Sequence, residues 1–302
     1  MKDSKPKNSR LKRKSNKLDL KRYLDVKRKI VEQAMGRYLP SEKTVPKTIH
    51  KAMRYSVFAG GKRLRPILAI GSFELVNGKG RSILPAACAL EFLHTYSLIH
   101  DDLPCMDDDD LRRGKPTLHK VFGEGMAVLA GDALHALAFE ILLKTKKPEV
   151  LQEVVKAIGT QGMIGGQVAD LEAEGKKVSP SQVKYIHSHK TGALLKASIR
   201  VGAILGGASR KKLNALSGYG EKIGVAFQIT DDILDVEGKA EIIGKKTGAD
   251  EKKATYPKVF GLETSKKMAA ALVQAAKKDL RIFDQKRQIF EQLADFMVSR
   301  VN

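Results

Sequence analysis

The sequence predicts an all-α protein of many helices, on three observations. Apolar residues recur at helical spacing, alternating runs rich in Val, Ile and Thr are scarce, and glycine and proline marks divide the chain into mostly helix-length intervals. With 302 residues, 42% of them hydrophobic, the chain can bury a large core in one large or two ordinary domains. No unit recurs at a fixed period of roughly 20 to 50 residues, which argues against a solenoid.

Taken in order, residues 1–18 are a basic tail of Lys, Arg, Ser and Asn with almost nothing to bury, which predicts disorder. The net charge is +21, but the first 30 residues hold 13 basic and 3 acidic side chains. The body is therefore only moderately basic, and no nucleic-acid partner is expected. The first helix begins at Leu20, where Leu20, Leu24, Val31 and Met35 fall on one stripe. Gly60-Gly61, Asn77-Gly78, Gly114 with Pro116, Pro148, Gly175 to Pro180, Gly206-Gly207 and Gly238 bound the helical intervals that follow. The longest apolar run, Ala127 to Leu143, is interrupted by Asp132, His135 and Glu140, so no membrane span of ~18 residues is expected. The N-terminal MKDSKPKNSRLKRKSNK has no apolar stretch behind it and does not resemble a secretory signal. Cys88 and Cys105, without a CxxC, suit a reducing compartment and predict a cytoplasmic protein, Cys88 in the core and Cys105 exposed.

The chemistry concentrates in DDLPCMDDDDLRRGKPT, residues 101 to 117, with six Asp in ten positions followed by Arg112, Arg113 and Lys115. So dense an acidic run repels itself, and hard divalent cations are its natural partners; a lone run of this kind is more often a solvated loop. A second site tips the balance. In FQITDDILDVE, residues 227 to 237, Asp231 and Asp235 share a helical face with Gln228 and Gly224, and His94, Ser97 and Asp101 share another. Asp101 and Asp107 are six apart, about 120° out of line on a regular helix, so Pro104 is expected to break the helix and let them converge. Cations accompany both sites: Lys62 and Arg65 in GGKRLRP, Arg112 and Arg113, Lys190 with Thr191 in HKTGALL, and Lys245 in GKKTGAD. Each alone reads as a surface charge; together with paired carboxylate sites they predict a diphosphate substrate. Neither a P-loop nor a GxGxxG is present, and no GxSxG or Cys–His pair offers a nucleophile.

From about residue 20 to the C-terminus the chain resembles the short-chain trans-isoprenyl diphosphate synthases. GGKRLRP, HTYSLIHDDLPCMDDDDLRRGKPT, LAGDAL, GGQVADLEAE, HKTGALL, FQITDDILDV and KATYP follow one another in the family's order. The resemblance implies a single all-α domain over 19–302, an isoprenoid-synthase-like helical bundle around a deep central cavity, working as a homodimer. It implies a magnesium (Mg2+) cluster held by Asp101, Asp107 and Asp231, with Asp102, Asp232 and Asp235 in support. Arg112, Lys190, Thr191, Gln228 and Lys245 would then hold an allylic diphosphate, and Lys62, Arg65, His94 and Arg113 isopentenyl diphosphate. The catalytic set so implied is Asp101, Asp107, Arg112, Lys190, Asp231 and Lys245. Two features depart from the family: only Glu251 and Lys252 separate Asp250 from KATYP, which puts a role for Lys253 in doubt, and the basic tail lies outside the resemblance.

Tyr96 and Ser97, five and four residues before Asp101, lie about one turn below the expected metal site, where a chain anchored by its diphosphate would run. The bulky ring resembles the farnesyl-producing arrangement, so farnesyl diphosphate is the expected product, with geranylgeranyl diphosphate the alternative. A terpene cyclase would not need the second cationic set, and a catalytically silent partner subunit would have lost an aspartate site. Phe227 is expected to pack, and His100, His187 and His189 receive no role from spacing.

Overall fold

The computed structural model describes residues 19–238 and 253–299. The basic tail, Lys245 and the short stretch between Asp250 and Lys253 lie outside the described residues. The chain order is α1 (Leu20–Tyr38), α2 (Lys47–Val57), α3 (Leu64–Leu75), α4 (Leu84–Asp101), β1 (Leu111–Arg112), β2 (Lys115–Pro116), α5 (Leu118–Phe122), α6 (Glu124–Leu143), α7 (Pro148–Ile158), α8 (Met163–Ala173) and α9 (Pro180–Ile186). A π-helical turn (His187–Gly192) then runs into α10 (Ala193–Leu205), followed by α11 (Arg210–Val236), α12 (Tyr256–Phe260), α13 (Leu262–Asp279) and α14 (Gln288–Val298). Among the described residues the protein is all-α apart from the antiparallel β1–β2 pair, a hairpin of two residues a side.

Local chemistry starts these helices where the punctuation placed them. Asp19 caps α1 by accepting from the Lys21 N–H at 3.0 Å, Pro148 and Pro180 open α7 and α9, and Ser179 with Gln182 forms a capping box on α9. Burial then orders them. α4 is enclosed around most of its circumference, from Ala86 to Ile99, and packs along α6, while α3 lies on α10 and α11 on α13. One apolar cluster joins α1, α2, α4, α6 and α7; a second joins α3, α10, α11, α13 and α14. A third, smaller cluster ties α9 and α12 to the C-terminal half of α11 through Val183, Ile186, Ile229, Ile233 and Tyr256. The ends of α4 and α11 that carry the aspartates thus lie where the clusters meet.

α6 differs from expectation. It is a continuous helix of 20 residues whose mean hydropathy, despite Asp132, His135 and Glu140, reaches that of a membrane span by length and composition. Its inner face, with Ala127, Ala130, Leu134, Ala138 and Ile141, is buried on α4 and α2, as in a core helix. Val128, Leu129 and Leu143 remain on its outer face, 41%, 56% and 64% exposed.

Candidate active site

Both aspartate-rich segments open onto one cavity of about 1060 Å³. α4 stops at Asp101, three residues before Pro104, and the Asp107 N–H donates to the Asp101 carbonyl at 2.8 Å. That bond folds the intervening loop back, so both carboxylates line the cavity although their spacing does not fit a helix. Burial pushes the Asp101 carboxyl above its ordinary range, and Asp107 adds to the effect; Lys190, Arg112 and Lys253 act against it. Asp102, expected beside the metal ligands, does not line the cavity. It is buried and accepts from Arg112 Nε at 2.5 Å, and Arg112 also pairs with Asp109 at 3.0 Å, which aims the guanidinium from below.

Across the cavity, Gln228, Asp231, Asp232 and Asp235 line the face of α11. Asp232 is buried: its Oδ1 accepts from Gln228 Nε2 at 3.0 Å and its Oδ2 from the Tyr256 N–H at 2.9 Å, with His187 Nε2 at 3.5 Å. Asp232 therefore holds α12 to α11 as well as facing the cavity. Burial lowers the His187 pKa to about 4, so at neutral pH it is an uncharged ring stacked on Tyr256, centroids 5.0 Å apart.

Lys190 and Thr191 come from the π-helical turn, in which an extra residue per turn bulges the backbone, a device that recurs at functional sites. Lys190 Nζ donates to Asp170 Oδ2 at 2.6 Å, and Thr191 Oγ1 to Gln228 Oε1 at 2.8 Å. α8 can come this close only through Gly166, where a Cβ would lie on the Lys190 amide nitrogen.

The remaining basic residues, Lys62, Arg65, His94 and Arg113, line the same cavity. Arg65 Nε is buried without a hydrogen-bond partner. Burial lowers the Arg65 pKa to about 10, opposed by Glu91. Burial, followed by Arg65, Arg113, Arg112 and Arg63, holds the His94 pKa well below the usual imidazole value, so His94 is neutral. Arg113 occupies the tip of the β1–β2 hairpin with Gly114, both at positive φ, and donates to the Gly60 carbonyl.

Apolar side chains line the cavity as well: Leu98, Met106 and Phe227, and Ile164, Val168 and Leu171, which are partly exposed. Tyr96 and Ser97 line it too. The Tyr96 ring is 8% exposed and meets His135 edge-on at 4.9 Å, and His135 meets Phe139 at 5.1 Å, so three rings on α4 and α6 brace one another.

Three cavity residues escaped sequence reasoning. Asp170 and Gln167, three apart within GGQVADLEAE, share one face of α8, and Gln167 Nε2 is buried without a partner. Lys253, whose role the short preceding stretch put in doubt, lines the cavity and pairs with Asp107 at 3.0 Å.

The donor set suits magnesium. Among the described residues no three carboxylate, histidine or cysteine side chains form a closed cage. Magnesium does not need one, since it keeps waters and uses one or two carboxylates together with substrate phosphates. An ammonium group already lies against one of these carboxylates, Lys253 on Asp107, which marks a place where cationic charge is favoured.

The chain matches the polyprenyl synthetase family over residues 46–293. It is 46% identical over 290 residues to a geranylgeranyl diphosphate synthase of Cyanophora paradoxa, covering 93% of this chain and 96% of that protein. It is 45% identical over 277 residues to a farnesyl diphosphate synthase of Geobacillus stearothermophilus, covering 88% and 93%. In structure it is similar to a polyprenyl synthase from Caulobacter crescentus CB15 complexed with calcium and isoprenyl diphosphate, with a TM-score of 0.85, 29% identity, and 94% and 97% of the two chains covered.

Proposed function

The chain belongs to the polyprenyl synthetase family and is a trans-prenyltransferase, and on that premise we propose that it joins isopentenyl diphosphate head-to-tail to dimethylallyl and then geranyl diphosphate, releasing farnesyl diphosphate. The observation that carries this reading is a single cavity lined by two aspartate-rich segments, two groups of basic residues and apolar side chains. Asp101, Asp107 and Asp231 are the metal-holding residues, supported by Asp235; Asp102 and Asp232 act through Arg112 and Tyr256. Magnesium, when bound, neutralises diphosphate charge and lowers the barrier to breaking the allylic C–O bond.

Arg112, Lys190, Thr191, Gln228 and Lys245 orient the allylic diphosphate, and Lys62, Arg65, His94 and Arg113 that of isopentenyl diphosphate. Fixed donors of this kind stabilise charge as it develops without having to reorganise. The apolar walls keep water from the allylic carbocation until the second substrate's double bond attacks it. The double bond of isopentenyl diphosphate is the nucleophile and the departing diphosphate takes the proton, so neither a protein nucleophile nor a protein base is required. A soluble cytoplasmic homodimer fits this assignment, and the exposed apolar residues on the outer face of α6 support the dimer.

Tyr96 sets the product length. Each added isoprene unit must bury five more carbons, and the braced ring blocks that volume at an overpacking cost of about 1 to 3 kcal/mol. Product sizing by chromatography tests the assignment. Wild type should give farnesyl diphosphate, and Tyr96→Ala a product at least one isoprene unit longer. Geranylgeranyl diphosphate from wild type, or an unchanged product from Tyr96→Ala, would overturn the Tyr96 floor.

A further inference from the structure

Within GGKRLRP the two residues assigned to isopentenyl diphosphate, Lys62 and Arg65, flank a third cation that behaves differently. Arg63 is 2% exposed and adopts a left-handed backbone, φ 52° and ψ 37°, at the N-cap of α3. That conformation is unfavourable for a side chain of this size and persists only where the surroundings fix it. Here they do. Arg63 Nη1 donates to Glu91 Oε1 at 2.9 Å, Nη2 donates to the Val57 carbonyl at 2.7 Å, and Glu32 lies 3.5 Å from Nε. Glu91, on α4 one turn before His94, is 1% exposed.

A fully buried carboxylate–guanidinium pair is a poor device for stability alone, because desolvating both charges offsets most of their attraction and a well-packed apolar pair does as well. Its surroundings suggest another use. Arg63, Arg65, Arg113 and His94 crowd the same part of the cavity, and Glu91 is the buried carboxylate that offsets both Arg65 and Arg113. Arg113 in turn packs over Gly61, where a Cβ would lie 2.5 Å from its guanidinium, and is bonded to the Gly60 carbonyl. The GGKRLRP turn is therefore held from one side by Glu91 through Arg63 and from the other by Arg113.

We propose that Arg63 and Glu91 are positioning residues for the isopentenyl diphosphate pocket: Arg63 fixes the turn that brings Lys62 and Arg65 to the cavity, and Glu91 is the counter-charge shared by the clustered arginines. This rests on the substrate assignment made above. The allylic pocket is built on the π-helical turn, α11 and Arg112 of β1, and Arg112 is held by Asp102 and Asp109 rather than by the pair. Removing either partner therefore loosens one substrate's site and leaves the other.

Steady-state kinetics with both substrates at saturating magnesium tests this, using Arg63→Met, Arg63→Lys, Glu91→Gln and the double variant Arg63→Met/Glu91→Gln. Arg63→Met and Glu91→Gln should each raise KM for isopentenyl diphosphate about tenfold and leave that for geranyl diphosphate within about twofold, with Arg63→Lys intermediate because an ammonium keeps the charge but cannot fork to both Glu91 and Val57. The double variant should lose less than the product of the single losses, since the two residues act as one unit. If the single variants do not fold, the double variant, which leaves no unpaired buried charge, must show the same split. Equal rises in both KM values, or no rise, would overturn the proposal.

Calorimetric titration of isopentenyl diphosphate without metal separates this idea from the reaction itself. Absence of condensation by wild type would overturn the assigned reaction alone, provided that wild type binds isopentenyl diphosphate and the variants bind it more weakly. Binding undiminished in the variants, or absent from wild type, would overturn the role of the pair.

Discussion

At the residue scale the carboxylates of the site differ in whether they face the cavity, hold other groups in place, or do both. Asp101 and Asp231 both face the cavity, Asp102 serves Arg112 away from it, and Asp232 faces the cavity while also accepting from Tyr256 and Gln228. Asp101→Ala and Asp231→Ala should each lower kcat on the order of a hundredfold or more with the far-ultraviolet helical signal unchanged, the scale of losing one strong electrostatic stabiliser. Near wild-type turnover at saturating magnesium would show that these carboxylates are not metal-holding groups. The cavity-facing aspartates were legible in the sequence because a dense anionic run repels itself unless something compensates. The division of labour among them was not, because it depends on partners distant in sequence: Tyr256, which donates to Asp232, lies 24 residues away. Lys253 was obscured for the same reason, since only the folded chain brings it to Asp107.

Among the elements, α4 was legible down to its break, because a spacing of six between Asp101 and Asp107 conflicts with the helical period and Pro104 resolves the conflict. The π-helical turn was not. HSHKTG carries no proline or unusual pattern, and one extra residue in a turn leaves the sequence looking like ordinary helix. The β1–β2 hairpin was equally hidden, since strands of two residues cannot show a period. In α6 the three polar residues interrupt the apolar run but not the helix: spread over 20 residues they leave one continuous helix. The π-helical turn depends on Gly166, whose missing side chain lets α8 approach the backbone that carries Lys190. Gly166→Ala should therefore destabilise the fold by about 1 to 3 kcal/mol, the usual cost of overpacking, and weaken allylic substrate binding more than Asp170→Asn does. Thermal unfolding together with KM for geranyl diphosphate measures both, and an unaltered Tm would mean that the two backbones are not in contact.

For the whole molecule, the all-α architecture followed from helical periodicity and from the scarcity of strand patterning, and the three apolar clusters meet where the two aspartate-bearing helix ends face one cavity. The proposed dimer can be tested at the outer face of α6, where Leu129 and Leu143 are more than half exposed. Light scattering on the purified protein should give twice the 33.2 kDa chain mass, and Leu129→Glu should shift it toward the monomer; a monomeric wild type would contradict that. The reaction is tested most directly by incubating the full chain with dimethylallyl diphosphate, isopentenyl diphosphate and magnesium, with and without a chelator, and sizing the products. The account predicts farnesyl diphosphate, formed only when both substrates are present and abolished by the chelator. A folded protein that incorporates no isopentenyl units, or that does so undiminished in the chelator, would contradict it.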